Sequence, residues 1–319
     1  MTETASLYGP ATEDIPLIGE RLRNLAAHHD ALLSDALEHV FQTGGKKIRP
    51  ALVLLSGRLG VYNLHRLVTL AASLEVVHTA ALVHDDTIDQ ATSRRGLDTI
   101  NAVWDGKVAI LVGDFLFAQS AYLAAQLDSV AIMQLLSETV MSMSTAELRQ
   151  YSSTRAHTVD ENDYLQRIAG KTASLFGMCC AGAAIVSEQG DWAIQALREY
   201  GTNLGMAFQI ADDVLDFTGH FVSTGKPHGN DLEQGTITLP AILFSDSLPP
   251  GSSLDSDLRN GRNPRSLIEA IRDSDAPDRA LEKAAEYAGA ARRALVGFPA
   301  SDGLDCLLQL THHVVDRDR

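Results

Sequence analysis

Apolar residues recur at intervals of three and four along almost the whole chain, and alternating runs bounded by turn formers are scarce. That spacing gathers the apolar side chains of each segment on one face of a 3.6-residue helix. Leu64 to Ile88 and Lys107 to Leu127 carry long patterns of this kind. Val130 to Arg149, Tyr164 to Val186 and Trp192 to Phe217 continue the series, and Ser266 to Arg272, Arg279 to Leu295 and Leu304 to Val315 close it. Pro50 suits a first helical turn and Gly60 stops the segment that follows, so Pro50 to Leu59 is a shorter helix. Breakers cluster at Ser93 to Asp98, at Gly219 to Gly235 and at Pro249 to Pro264, the last an expected exposed loop. Helices apolar on more than one face must bury each other. The expected fold is therefore a single all-α domain spanning 1–319.

Composition narrows the function. The 319 residues are 45% hydrophobic and 21% charged, enough to bury a core, which excludes wholesale disorder. A formal charge of −15 opposes general nucleic-acid binding, which needs a basic face, and suits a protein that gathers cations. Three cysteines, Cys179, Cys180 and Cys306, cannot make a disulfide framework, so a reduced, cytoplasmic setting is expected. The first residues carry no basic stretch followed by an apolar run, so no secretory signal is expected. Val108 to Leu127 is very apolar but is broken by Asp114, Gln119 and Gln126, and it reads as a buried helix rather than a membrane span.

Two segments carry the chemistry. LVHDDTIDQ holds Asp85, Asp86 and Asp89, and FQIADDVLDF holds Asp212, Asp213 and Asp216. Each places acids at i, i+1 and i+4; on a helix, i and i+4 share a face about 5.4 Å apart. Three crowded carboxylates repel unless a cation offsets them. Such hard oxygen ligands suit Mg²⁺, which bridges protein carboxylates to phosphate oxygens. An acidic helix face is ordinarily a solvated one, but both clusters lie inside apolar runs, Ala80 to Val83 before the first and Val214, Leu215 and Phe217 around the second.

Basic residues accompany the acids. Lys46 and Arg49 sit at a glycine turn entering a helix, where backbone N–H groups and the helix dipole favour phosphate. Arg94 and Arg95 follow the first cluster, Lys171 and Thr172 lie mid-helix, and Lys226 lies in the loop after the second cluster. AGKTAS lacks the first glycine and the spacing of a phosphate-binding P-loop, and that motif is rejected.

With these residues in view, the chain resembles the trans-prenyl diphosphate synthases of the polyprenyl synthetase family. The likeness runs from GGKKIRP (44–50) through EVVHTAALVHDDTIDQATSRRG (75–96), GDFLFA (113–118), GKTASLF (170–176) and YGTNLGMAFQIADDVLDF (200–217) to GKPHGNDLEQGTITLP (225–240). The resemblance implies the isoprenoid synthase fold, a single large helical bundle around a central cavity, and assembly as a homodimer. It implies a Mg²⁺-dependent enzyme that condenses isopentenyl diphosphate with an allylic prenyl diphosphate and releases pyrophosphate. By the same resemblance, Asp85, Asp86, Asp89, Asp212, Asp213 and Asp216 hold the metal ions. Lys46, Arg49, His78 and Arg95 bind isopentenyl diphosphate. Arg94, Lys171, Thr172, Gln209 and Lys226 contact the allylic diphosphate or the departing pyrophosphate. No protein nucleophile is required, because ionisation of the allylic C–O bond needs a stabilised anion and a dry cavity for the carbocation. Phe208, beside Gln209, offers a ring face to that cation.

Three departures from the family pattern stand out: Thr236 and Leu97 replace frequent lysines, and Ala146 replaces a frequent glycine. Product length is expected to be set below Asp85, where shorter-chain members carry an aromatic plug and this chain has Ala80 and Ala81, with Val77 and Leu74 further down. At about 5.4 Å per turn, the opening suits a product of roughly six to eight isoprene units. Phe115, Phe117 and Tyr122 are expected to form its floor. The alternatives are a shorter-chain synthase, the catalytic subunit of a heteromeric synthase, and a terpene cyclase, which shares the fold but carries a different second metal motif.

Overall fold

The computed structural model describes residues 7–27, 29–42, 47–156, 160–218, 229–233, 235–248 and 264–316. The described chain is almost wholly helical. After a 3₁₀ turn at Gly9–Ala11 come α1 (Ile15–Ala26), α2 (Ala31–Gln42), α3 (Ile48–Gly57) and α4 (Leu64–Ile88). A small antiparallel hairpin of β1 (Ser93–Arg94) and β2 (Leu97–Asp98) is followed by α5 (Ile100–Val103), α6 (Gly106–Ala125) and α7 (Val130–Ala156). Then α8 (Glu161–Ile168) leads through a π-helical turn (Ala169–Ala173) into α9 (Ser174–Val186) and α10 (Asp191–Thr218). The remaining helices are α11 (Asn230–Glu233), α12 (Leu239–Asp246), α13 (Pro264–Arg272), α14 (Ala276–Ala294) and α15 (Asp302–Val315).

The helix starts have local causes. Asn63 accepts a hydrogen bond from the Arg66 amide at the head of α4, and Asp105 accepts from the Lys107 and Val108 amides at the head of α6, both at 2.8 Å. Asp160 does the same for Asp163 at α8. Each satisfies a backbone N–H that a helix start leaves without an internal partner.

The chain divides into two compact units. One comprises Met1–Val140, Met178–Arg198 and Gly297–Leu307, the other Met141–Gly177, Glu199–Val296 and Leu308–Arg319. The units are built from discontinuous segments, so no composition shift along the chain could mark them.

In the first unit α4 packs along α6. Gly113 on α6 leaves room for the His84 ring of α4, since a Cβ there would fall 2.1 Å from His84 Nε2. Ser73 on α4 stitches the same seam further down by donating to the Ser120 carbonyl at 2.8 Å. In the second unit Tyr164, Ile168, Ile210 and Val214 share a core with Leu239, Ile242 and the alanine stripe Ala276, Ala280 and Ala284 of α14.

Among the described residues, three helices are long and apolar enough to cross a membrane by length and composition alone: Leu64–Ile88, Gly106–Ala125 and Glu161–Val186. The first and third bury 72% of their apolar windows inside the protein, but the second buries only 39%. The expectation of a buried helix at Val108 to Leu127 is therefore corrected. One face of α6 is packed through Ala109, Val112, Leu116 and Leu123, whereas Ile110, Leu111 and Tyr122 are exposed on another.

Candidate active site

The first acidic cluster lies at the C-terminal end of α4, and burial separates its members. Asp86 is 6% exposed, while Asp85 keeps partial access to solvent and Asp89 is exposed. Both oxygens of Asp86 are taken by one side chain: Arg94 Nε donates to Oδ1 at 2.7 Å and to Oδ2 at 2.9 Å. The hairpin sets this up, because Arg95 and Gly96 take positive φ of 52° and 80° in a two-residue turn that reverses the chain beside the end of α4. The sequence reading of Ser93 to Asp98 as a breaker missed this device. Arg94, the side chain the resemblance assigns to the allylic diphosphate, is engaged with a carboxylate of the cluster.

Below the acids on α4, His78 lies within the field of Arg49, Arg95, Arg94 and Lys47. Desolvation first, and these cations second, hold its imidazole well below the usual histidine range, so it is neutral near pH 7. Arg49 is itself buried, which lowers its pKa, and the carboxylate of Glu75 opposes that shift. Glu75 is 8% exposed and also receives Lys47 Nζ at 3.1 Å. Sequence reading missed Glu75, although its signal was an acid three residues before His78 in an otherwise apolar stretch. Lys46 lies outside the described residues.

The second cluster, on α10, repeats the division. Asp213 is 4% exposed, Asp216 is intermediate and Asp212 is exposed. Asp213 Oδ2 accepts from the Tyr164 hydroxyl at 2.6 Å, and Oδ1 accepts from Gln209 Nε2 at 2.8 Å. The Thr172 hydroxyl then donates to Gln209 Oε1 at 2.7 Å. Burial and the nearby charge of Asp231 push the Asp213 carboxyl up to about 8, against the two hydrogen bonds, which favour its ionised form. Asp216 is fixed at both ends: its carbonyl accepts from the Gly229 amide at 2.8 Å and its Oδ2 from the Asp231 amide at 3.1 Å.

Lys171 and Thr172 stand in the π-helical turn, which sequence periodicity read as plain helix. One extra residue in the turn changes which way the side chains point, a feature common at functional sites. Gly170 lets this turn lie close against α7, since a Cβ would meet Ala146 Cβ at 2.8 Å and the Ser142 carbonyl at 2.9 Å. Lys171 Nζ then reaches Glu147 Oε2 at 2.6 Å. Lys226 lies outside the described residues.

Of the residues assigned to product length, Val77 and Ala80 are fully buried and Ala81 retains partial exposure. The expected floor is corrected in part. Tyr122 is 63% exposed, Phe115 meets the His29 ring edge-on at 5.1 Å, and Phe117 packs against the His84 ring.

Among the described residues no group of three carboxylate, imidazole or thiol side chains is close enough to cage a metal by itself. Accessible carboxylates in one-turn pairs fit a different mode of binding. Mg²⁺ keeps several waters and is typically held by one or two carboxylates plus substrate phosphates.

Two accessible carboxylates and one buried carboxylate in each of two helical clusters, with a neutral histidine among cations, suit ionisation of a diphosphate ester. The polyprenyl synthetase family model matches residues 30–274, and the chain belongs to that family; it is a prenyltransferase. It is 37% identical to a prenyl transferase of Synechocystis sp. over 99% of both chains. It is 34% identical to heptaprenyl diphosphate synthase component 2 of Geobacillus stearothermophilus, over 98% of each. Among solved structures, a polyprenyl synthase from Caulobacter crescentus, complexed with calcium and isoprenyl diphosphate, superposes with a TM-score of 0.91 at 33% identity, covering 99% of this chain and 98% of that one.

Proposed function

We propose that this chain elongates an allylic prenyl diphosphate with isopentenyl diphosphate in the presence of Mg²⁺ and builds a long all-trans product. The observation that carries this reading is on α4: a neutral His78 amid Arg49, Arg94, Arg95 and Lys47, two turns from the accessible Asp85. A second phosphate-binding set beside a metal-binding carboxylate is what an enzyme joining two diphosphates needs, and a cyclase acting on one does not need it.

Asp85 and Asp89, and Asp212 and Asp216, are the carboxylates for divalent cations. Bound cations supply charge neutralisation for the leaving pyrophosphate. Arg49, Arg95 and His78 hold isopentenyl diphosphate. Neutral His78 donates or accepts a hydrogen bond without competing for the cations, and Glu75 orients Lys47. Lys171, Thr172 and Gln209 face the allylic diphosphate. The long product is supported by the small side chains of Ala80 and Ala81 and by the heptaprenyl synthase relative.

A homodimer is supported by the exposed apolar face of α6 at Ile110, Leu111 and Tyr122. The name of the Geobacillus relative, a component of a synthase, supports a partner chain as the competing assembly. Three free, buried cysteines support a cytoplasmic setting.

The test is incubation of the purified chain with Mg²⁺, labelled isopentenyl diphosphate and each allylic primer, followed by chain-length analysis of the dephosphorylated products. Label in products of several added units is the expected result. Hydrocarbon released without label points to cyclisation, and activity only after adding a partner chain points to a heteromer.

A further inference from the structure

We propose that Tyr164 is a positioning residue of the prenyl transfer reaction: from beneath the second acidic cluster it fixes the Asp213 carboxylate and, through it, Gln209 and Thr172. The inference rests on the assignment of that cluster to diphosphate and metal binding, and it adds a residue that no acidic or basic motif contains.

Tyr164 is fully buried, and its ring has no freedom to wander. It packs in the core with Ile168, Ile210 and Val214, and the Arg167 guanidinium lies 5.4 Å from the ring centroid. Arg167 is anchored in turn, donating to the Ile237 carbonyl at 2.8 Å. The hydroxyl at the end of this braced ring donates to Asp213 Oδ2 at 2.6 Å, a hydrogen bond that favours the ionised carboxyl against the burial that raises its pKa.

The consequence travels outward by donor and acceptor bookkeeping. With Oδ2 accepting from Tyr164, Asp213 Oδ1 is held where it accepts from Gln209, which therefore presents its amide NH₂. That leaves Gln209 Oε1 as the acceptor for the Thr172 hydroxyl. A carboxylate free to rotate no longer dictates which way the Gln209 amide faces, nor where the Thr172 proton points. Tyr164 therefore orders two side chains that meet substrate without meeting it itself.

The test uses the full chain with three variants: Tyr164→Phe, Asp213→Asn and the two combined. Phenylalanine keeps the ring and removes only the hydroxyl. Leaving a buried acceptor without its hydrogen bond predicts a fall in kcat of about ten- to a hundredfold. The Mg²⁺ concentration for half-maximal rate and the KM for the allylic diphosphate rise, while the KM for isopentenyl diphosphate stays within about twofold of wild type, a split that general loosening of the fold does not produce. Combined with Asp213→Asn, the Tyr164→Phe change adds no more than about twofold, because the two residues act as one unit. The double variant strands no charge, so this comparison with Asp213→Asn stands even where Tyr164→Phe alone does not fold. Wild-type kcat and Mg²⁺ dependence in Tyr164→Phe, or effects that multiply in the double variant, overturn the proposal. Failure of the underlying site assignment reads differently: full activity after Asp212→Asn and Asp216→Asn, whatever Tyr164 does.

Discussion

Arg94 closes on both oxygens of Asp86, with Nε at 2.7 and 2.9 Å and Nη2 at 2.7 Å from Oδ1. A fork of this kind fixes a carboxylate in orientation as well as in charge. Asp86 is buried, so leaving it without that partner strands a buried polar group. Arg94→Ala is expected to destabilise the protein by about 1–3 kcal/mol, less than for a wholly buried pair because Arg94 is partly exposed. Arg94→Lys restores the charge without the fork and is expected to recover only part of the loss. Urea unfolding midpoints read both.

The carboxylates that keep solvent access should behave in the opposite way. Replacing Asp85, Asp89, Asp212 or Asp216 by asparagine is expected to lower turnover by about 10²–10³-fold, the cost of losing one preorganised electrostatic contact to a developing anion. Stability should move by no more than about 0.5 kcal/mol, because these side chains are not in the core. Initial rates of label incorporation across a Mg²⁺ titration, beside thermal melts, separate the two effects. A rate unchanged by all four substitutions would remove the metal assignment.

Ala80 and Ala81 no longer make one prediction. Ala81 has partial exposure and can take a larger side chain into open space, so Ala81→Phe is expected to shorten the product by at least one isoprene unit at near-normal stability. Ala80 is fully buried. Ala80→Phe is expected to overpack the helix seam and cost about 1–3 kcal/mol. Product chromatography and denaturation curves on the same two variants distinguish these outcomes; an unchanged product from Ala81→Phe refutes the role given to that position.

His78 gives a pH signature. Its folded pKa lies well below the unfolded value of 6.5, so below pH 6.5 the unfolded chain binds a proton that the folded chain refuses. Stability from this group is therefore complete above that pH and declines as the pH falls through the window beneath it. His78→Gln removes that component, so the thermal midpoint of the variant should fall less steeply than wild type between about pH 6.5 and pH 5. Parallel acid slopes for the two proteins would show that the folded imidazole is not held neutral.

The helices were legible because periodicity reports them directly. Leu64 to Ile88 was bounded as α4 is, and Trp192 to Phe217 came within a residue of α10 at each end. Helices α1, α2 and α12, of 12, 12 and 8 residues, are absent from the sequence reading, although segments no longer than these are found elsewhere in the chain. The π turn at Ala169–Ala173 was invisible, since one inserted residue leaves apolar spacing on either side intact.

What the sequence determined by itself is local and chemical: all-α structure, two clusters of acids at i, i+1 and i+4, their basic companions, and hence the family and its diphosphate chemistry. What the tertiary structure decided is which member of each repeated set does which job. Asp86 and Asp213 hold the same place in their clusters, yet one is fixed by Arg94 from a hairpin and the other by Tyr164 from a separate helix. Spacing along a helix sets the angles between side chains but not which angle a neighbour covers. That depends on packing partners far away in the chain, where burial makes an unpaired carboxylate costly and so selects the residue that must answer it.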